Sequence, residues 1–373
     1  MSVLILGSRS DFHVRAMQWA LGECGVPVQV LAHAHFPAGA GMSAAIEPDG
    51  RFRVRYREQE GSPQELQDLD GVRLVWCRRP LHLSADGMRG VHPDDLSIVR
   101  HESEDFVLGL AAALSVRTQG RAVWVNPIES RIRARSKLCQ LSLAHACGLL
   151  IPPTLVSNDP DELAAFHELH QGRLIFKAFR PLDWGMEGSF RTLPTTRLNP
   201  DLLRMRGAIQ RCPLIYQAEV KKRYELRALI CGDEVHCLRV DSQHSSLTAT
   251  DWRLYSAGDE GLPASRHELA DADKQALLAM AHALGIRYGC ADLIVDQEGR
   301  LVFLEINQQG QFLFMDRLCP GFGALQAVTR YFGSVLGVSR EHWPALEDYE
   351  ASGDYARYQQ ELAGASAAAQ ASA

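Results

Sequence analysis

No stretch of the chain approaches the ~18–20 uncharged apolar residues that a membrane helix requires. The opening run Val3–Leu6 is too short for the apolar segment of a signal peptide, and Arg9 and Asp11 follow at once. Positive charge is not in excess. With 39 Lys+Arg against 45 Asp+Glu, the formal charge is −6, which argues against a protein whose main task is gripping nucleic-acid phosphates. The nine cysteines are scattered and odd in number, with no Cys-x-x-Cys motif, so neither a zinc site nor a disulfide framework is expected. There is no Gly-x-Ser-x-Gly elbow, no Walker loop and no internal repeat. These absences point to a cytoplasmic protein with neither a membrane nor a nucleic acid as partner.

Hydrophobic residues make up 46% and charged residues 23%, ordinary globular usage that excludes disorder or coiled coil for the whole chain. The 373 residues exceed the ~250–300 at which single cores stop growing, so two or three packed units are expected. Val3–Leu6, Val26–Leu31, Val72–Trp76 and Ala122–Val125 read as short buried strands, with helices over Asp11–Cys24 and about Pro93–Val116. Such alternation predicts an α/β unit with a mainly parallel sheet over 1–125. Asn126-Pro127 is a turn signal, and a basic helix from Ile128 to Cys147 follows, stopped by Gly148 and Ile-Pro-Pro-Thr. A second unit, 126–212, holds a helix over Asp159–His170, a strand over Arg173–Ala178 and a helix near 199–210. The third, 213–337, has strands Leu214–Val220, Leu226–Cys231 and Val235–Asp241, then a helix at 271–284 with Leu277, Met280, Ala281 and Leu284 on one face. A hairpin, Gly289–Asn307, and a helix near 321–336 complete it. The extension 338–373 ends in a low-complexity stretch, 364–373, expected to fray.

The hairpin carries the most chemistry. Two apolar strands flank Asp296-Gln-Glu-Gly299, a turn whose glycine can take a positive φ. If Val295 pairs with Arg300, Asp292 lies opposite Phe303, and Phe303, Glu305 and Asn307 share one face. Asp292 is then diagonal to Glu305 at about 7–8 Å, close enough for the two carboxylates to share an ion. Asp296 and Glu298, in the turn, are expected to point into solvent. Asp292, Glu305 and Asn307 are hard oxygen ligands suited to Mg²⁺, which completes its octahedron with water and phosphate oxygens. A solvated sheet face would produce the same alternation.

Lys177 ends the apolar strand Leu174-Ile-Phe-Lys177, and Lys137 closes Arg131-Ile-Arg-Ala-Arg-Ser-Lys137 on the basic helix. Two such ammonium groups could balance a triphosphate, and could equally be a snorkelling strand lysine and a solvated helix face. Ile215-Tyr-Gln-Ala-Glu-Val220 leads into a strand carrying Glu225-x-Arg227 on one face. That layout offers backbone groups for a base edge, Glu225 for a ribose hydroxyl, and Arg227 for a phosphate. Arg78 and Arg79 follow the strand Val72–Trp76, at the end where α/β sheets present ligand-facing loops.

The ordered set Lys137, Lys177, Gln217–Val220, Glu225-x-Arg227, Gly232-Asp-Glu-Val235, Asp292 and Glu305-x-Asn307 resembles the ATP-grasp carboxylate–amine ligases, in the branch of the ribosomal-protein S6 glutamate ligase. Within that branch, Trp76-Cys-Arg-Arg-Pro80, Ile151-Pro-Pro-Thr154, Tyr224-Glu-Leu-Arg227, Asp241-Ser-Gln243, Asp251-Trp-Arg253 and Phe303-Leu-Glu-Ile-Asn-Gln-Gln-Gly-Gln311 are similar to the graspetide (microviridin-type) peptide ligases. The resemblance covers about residues 70–335. It implies an ATP-grasp fold, two α+β lobes clamping ATP, preceded by a smaller α/β N-terminal domain. It further implies that Lys137 and Lys177 contact phosphates, that Gln217, Glu219 and Val220 line the adenine site, that Glu225 holds ribose, and that Asp292, Glu305 and Asn307 ligate magnesium. Arg227 and Arg253 take the catalytic roles, and Arg239 is a further candidate to hold a substrate carboxylate. The implied partner is a precursor peptide with a leader segment, and the resemblance leaves room for a homodimer. The sequence departs from the family in Gln217-Ala218, where Gln-Glu is common, and in a loop after Lys177 that is poorer in glycine.

The implied chemistry activates Asp or Glu side chains of the peptide as acyl phosphates and joins them to hydroxyls or amines, releasing ADP and phosphate. Two alternatives remain open on the sequence: a ligase adding a free amino acid to a peptide or small acid, and a non-catalytic ATP-binding scaffold.

Overall fold

The computed structural model describes residues 1–33, 36–58, 63–79, 85–179, 193–245, 252 and 262–371. The N-terminal part runs β1 (Ser2–Gly7), α1 (Phe12–Glu23), β2 (Val28–Ala32), β3 (Ala40–Ile46), β4 (Phe52–Glu58), β5 (Gln64–Glu65), β6 (Val72–Cys77), α2 (Leu96–Thr118) and β7 (Val123–Val125). Four of these strands form a parallel sheet in the order β2-β1-β6-β7. Every residue of β1 is buried because both faces are covered, which is why it reads as an unbroken apolar run. Val3 and Ile5 pack with α1, while Leu4 and Leu6 pack against Leu110 and Leu114 of α2. The antiparallel sheet β3-β4-β5 is an addition to what the sequence pattern predicts. Phe52, Val54 and Tyr56 do alternate with Arg53, Arg55 and Arg57 in β4, but Ala40–Ile46 is made of small residues with no strand signature.

The basic helix expected from Ile128 to Cys147 is interrupted. α3 (Arg131–Arg135) ends at Ser136, which adopts an extended conformation and accepts from Cys139 N as the cap of α4 (Lys137–Ala146). Lys137 therefore opens a helix instead of sitting inside one. The antiparallel sheet β10-β9-β11-β8 follows, built from β8 (Thr154–Ser157), β9 (Leu174–Lys177), β10 (Thr196–Arg197) and β11 (Leu214–Ala218). α5 (Pro160–Leu169), capped by Asp159, and the short α6 (Pro200–Leu203) and α7 (Arg206–Arg211) belong to the same layer, so the helix expected near 199–210 is two.

The remaining sheet, β14-β13-β12-β15-β16, is antiparallel and comprises β12 (Lys222–Cys231), β13 (Glu234–Val240), β14 (Ala264–His267), β15 (Tyr288–Asp296) and β16 (Leu301–Asn307). α8 (Asp271–Leu284) buries Leu277, Met280, Ala281 and Leu284 against Leu226, Leu293 and Phe303. α9 (Leu313–Leu318) and α10 (Ala324–Val335) pack with Leu229, Leu238 and Tyr288 in a core that extends into the N-terminal sheet. α11 (Leu346–Glu350) and α12 (Gly353–Ala371) close the chain, α12 continuing through the alanine-rich end as alanine's helix propensity allows. Among the described residues, no helix is long and apolar enough to cross a membrane.

Two buried carboxamides tie these layers together. Asn126 Nδ2 donates to Tyr288 O at 2.7 Å and Gln308 O at 3.0 Å, and Oδ1 accepts from Arg287 N and Tyr288 N at 2.9 and 3.0 Å. Gln140 brackets Ile306 in the same manner, donating to its carbonyl and accepting from its N–H, both at 2.9 Å. Because truncating Asn126 removes the partner of four backbone groups, three of them in buried contacts, Asn126→Ala should cost at least about 3 kcal/mol in denaturant unfolding.

Candidate active site

A cleft lies between the sheet β10-β9-β11-β8 and the sheet containing β12, β15 and β16. Lys177 and Gln217 line it from the first, Glu225, Asp292 and Glu305 from the second, and the Ala218–Val220 link joins them at its edge. Strand alternation sorts the side chains of β12. Leu226 and Ala228 enter the core under α8, so Glu225 and Arg227 take the opposite face, toward the cleft.

The register of β15 and β16 differs from the expected one. Val295 pairs with Leu301 and Leu293 with Phe303, after which a bulge shifts the pairing and sets Asp292 directly opposite Glu305. Leu304 is the extra residue. Phe303 consequently faces the helix-side core while Glu305 faces the cleft, and the two do not share a face. The carboxylates are closer than the diagonal relation predicts. Asn307, opposite Cys290, lies two residues along from Glu305 on the cleft face, and its Oδ1 accepts from Gln309 N at 3.0 Å.

Each acidic group in the cleft has a cation. Lys137 Nζ is 2.6 Å from Glu305 Oε2, Arg227 Nη1 is 2.5 Å from Asp292 Oδ1, and Lys222 Nζ is 2.7 Å from Glu225 Oε1. Burial pushes the Glu225 carboxyl above its usual range, against the pull of Lys222 and a hydrogen bond from Ser242. Burial also works against the Arg227 charge, but Asp292 outweighs it and the guanidinium is held more firmly protonated than usual. Arg227 Nη2 donates to Gln311 O at 3.3 Å, and its guanidinium lies over the Phe314 ring. Among the described residues no three His, Cys, Asp or Glu side chains form a metal cage. Two opposed carboxylates and a nearby amide oxygen suit a hard ion that fills its shell from water and phosphate, as magnesium does.

The structure thus gathers Lys177, Gln217, Glu219, Val220, Glu225, Asp292 and Glu305 around one cleft, with Lys137 and Arg227 paired to its acids. Gln217 is buried, with Nε2 donating to Thr154 Oγ1 at 2.9 Å and Oε1 without a partner among the described residues. The Glu219 carboxylate accepts from Arg197 Nε at 2.7 Å, and its backbone N–H donates to Arg173 O. Arg253 lies outside the described residues. Arg239 is not in the site: it pairs with Leu226 on the helix side of the sheet, over the Tyr224 ring at 4.0 Å and bonded to Asp241. Lys222, Ser242 and Trp252 border the cleft or its acids without having been singled out by sequence reasoning. For Lys222 a signal existed, since the chain's only lysines are Lys137, Lys177, Lys221, Lys222 and Lys274, all other basic residues being arginine.

Asp296 also departs from expectation. It does not point into solvent but is buried, accepting from Arg300 N at 2.8 Å and Arg300 Nε at 2.7 Å. Burial opposes its charge, yet these Arg300 contacts hold the carboxyl below its usual range. Its stabilising contribution is therefore present above the unfolded-state pKa and fades as pH falls through the folded-state value. Asp296→Asn should lower the thermal midpoint at pH 7, with the gap from the wild type closing in acid. Equal midpoints at pH 7 would return Asp296 to a solvent-facing role.

No family profile and no curated protein matches the chain. Solved structures do. A Chryseobacterium gregarium RiPP-associated ATP-grasp ligase in complex with ADP and a leader and core peptide superposes with a TM-score of 0.76 at 22% identity, covering 93% of this chain and 100% of that one. The macrocyclase MdnC from Microcystis aeruginosa MRC, bound with precursor peptide MdnA, gives 0.75 at 22% identity, covering 90% and 100%. The ATP-grasp ligase PsnB, complexed with a phosphomimetic variant of a minimal precursor, Mg and ADP, gives 0.63 at 20% identity, covering 88% and 99%. Likeness along nearly the whole length of each chain, with a two-sheet cleft in the middle, assigns this protein the ATP-grasp fold.

Proposed function

We propose that this protein is an ATP- and magnesium-dependent ligase that activates Asp or Glu side chains of a ribosomal precursor peptide and closes them onto Ser/Thr hydroxyls or Lys amines of the same peptide. The observation that carries this reading is the opposition of Asp292 and Glu305 on the cleft face, each already paired with a cation, Arg227 and Lys137. The solved structures of like fold that hold ADP and precursor peptides support it.

Two bonds change hands. A peptide carboxylate oxygen attacks the γ-phosphorus of ATP, ADP leaves, and an acyl phosphate forms. A hydroxyl or amine then attacks the acyl carbon, phosphate leaves with the bonding electrons and takes up the proton the nucleophile gives up, and the peptide has lost the elements of one water. Such phosphoryl transfer asks the protein for positioning and charge stabilisation, with no protein nucleophile. Lys137 and Lys177 would meet the phosphates, and Glu225 would hold a ribose hydroxyl. The link at Glu219–Val220 would offer backbone to the base, and the unpartnered Gln217 Oε1 is an acceptor suited to an amino group at the buried end of the cleft. Asp292, Glu305 and Asn307 would hold magnesium, which supplies neutralisation of the phosphate charge. Arg227 would steady the reacting carboxyl, a role the family resemblance also gives to Arg253. The leader segment would dock away from the nucleotide.

Incubating the protein with Mg-ATP and a peptide rich in Thr, Lys, Asp and Glu should release ADP and remove one water per link from the peptide mass. Gain of a residue mass would instead favour addition of a free amino acid, and no ADP release with any such peptide would favour a scaffold.

Lys177→Met should weaken ADP binding at least about tenfold in calorimetry while the fold survives, the worth of one charge-assisted contact. Glu305→Gln should have opposite effects with and without metal. It removes one negative charge from the proposed magnesium shell and abolishes turnover, yet it also releases Lys137 from its charged partner at 2.6 Å. Metal-free ADP should then bind the variant about fivefold more tightly than wild type, the equivalent of ~1 kcal/mol for a partly exposed ion pair.

A further inference from the structure

The most informative feature outside the cleft is an arginine that crosses from the N-terminal sheet to the segment following the metal-site strand. Arg78 directly follows β6 and is 1% exposed, so it cannot touch a peptide despite standing at the ligand-facing end of a parallel sheet. Its Nε donates to Asp11 Oδ2 at 3.1 Å. Its Nη1 donates to two successive carbonyls, Gln309 O and, at 3.4 Å, Gly310 O. Tyr288 Oη donates to the same Gly310 carbonyl at 2.7 Å. The next carbonyl, Gln311 O, accepts from Arg227 Nη2 at 3.3 Å and from Cys290 Sγ at 3.4 Å.

The other end of this segment is held from the same domain edge. His13 Nε2 accepts from Phe312 N at 3.0 Å and Leu313 N at 3.3 Å, while its Nδ1 is 3.3 Å from Asp11 Oδ1. Burial and the Arg78 charge push the His13 pKa down to about 4, so at neutral pH the ring keeps the free lone pair these two bonds need. Burial works against the Asp11 charge, but the His13 hydrogen bond and the Arg78 and Arg79 charges hold its carboxyl well below the usual range. Asp11 thus orients both side chains that grip the segment.

We infer that Arg78 is a positioning residue for the proposed reaction. By fixing the Gln309 and Gly310 carbonyls it keeps the Gln311 carbonyl beneath Arg227, and so keeps Arg227 against Asp292. It also anchors the chain just beyond Asn307, whose side chain bonds Gln309 N. The role is local to the carboxyl end of the cleft: Lys177, Gln217 and Glu225 do not depend on this segment. The inference rests on the ligase reading.

The test compares Arg78→Met, Arg78→Lys and a stability control, Leu74→Ala, which hollows the same sheet at a fully buried position. Arg78→Met should lower kcat with the Thr/Lys/Asp/Glu peptide about a hundredfold, the cost of a reacting group displaced by ~1 Å. ADP affinity should stay at the wild-type value, and amide exchange should quicken selectively at 309–313. Arg78→Lys should recover part of the turnover, because an ammonium can still meet the carbonyls. Leu74→Ala, matched in unfolding midpoint, should keep its kcat per folded molecule. If Arg78→Met loses no more turnover than Leu74→Ala, or loses ADP affinity in proportion to kcat, Arg78 is merely structural and the inference falls while the ligase reading stands. A wild type that neither binds ADP nor turns over overturns both.

Discussion

Two carboxylates placed directly opposite each other on a largely buried sheet face repel one another and cannot stand without compensation, and the rest of the cleft is arranged around that constraint. The bulge at Leu304 creates the opposition by turning Glu305 toward Asp292. Arg227, one strand over, and Lys137, from the first turn of α4, then supply the neutralising charge. The interruption of the basic helix at Ser136 acquires a purpose in this light, since the Ser136 cap sets the start of α4 at Lys137 itself. Gln140, one turn further along, bonds both backbone groups of Ile306, between Glu305 and Asn307, so the helix carrying the lysine is locked in register with the strand carrying its partner.

Self-neutralisation of this kind leaves a cleft that is poised without being empty of interactions. Lys137, Lys222 and Arg227 are held by Glu305, Glu225 and Asp292 at distances between 2.5 and 2.7 Å. An incoming polyanion and its metal would each take over one half of a pair, so that the two reinforce one another by exchanging partners. Under the proposed function, the cost of separating Lys137 from Glu305 and Arg227 from Asp292 would be offset only when both arrive, which would couple metal and nucleotide. The N-terminal sheet contributes at a different level. It brings Asn126, His13 and Arg78 to bear on backbone groups of residues 287–313, fixing the platform that carries Arg227 and β16.

Much of this was legible in residue patterns because the relevant signals are local. The α8 stripe Leu277, Met280, Ala281 and Leu284, the Asp159 cap before Pro160, and the turn at Asp296–Gly299 all follow from spacing of a few residues. Lys137 and Lys177 stood out from their helix and strand contexts, whereas Lys222 did not, although it is one of only five lysines in the chain. What escaped is non-local. The small-residue strand Ala40–Ile46 exists because β4 offers it hydrogen bonds, Arg239 leaves the site because its strand partner is Leu226, and Asp296 turns inward because Arg300 waits four residues on.

The sequence by itself determined the composition of the site: which oxygen ligands, ammonium groups and guanidinium the chain can bring together, and their order along it, because residue chemistry and strand periodicity are properties of short segments. Only the tertiary structure decided the pairing. A single extra residue at Leu304 reverses the face of everything beyond it, so Phe303 and Glu305, which a period of two places side by side, end on opposite sides of the sheet. That choice is made by the packing of Phe303 into the core beneath α8 and by the Lys137 charge at the start of α4 that meets Glu305, contacts between segments far apart in the chain that leave no trace in the local pattern.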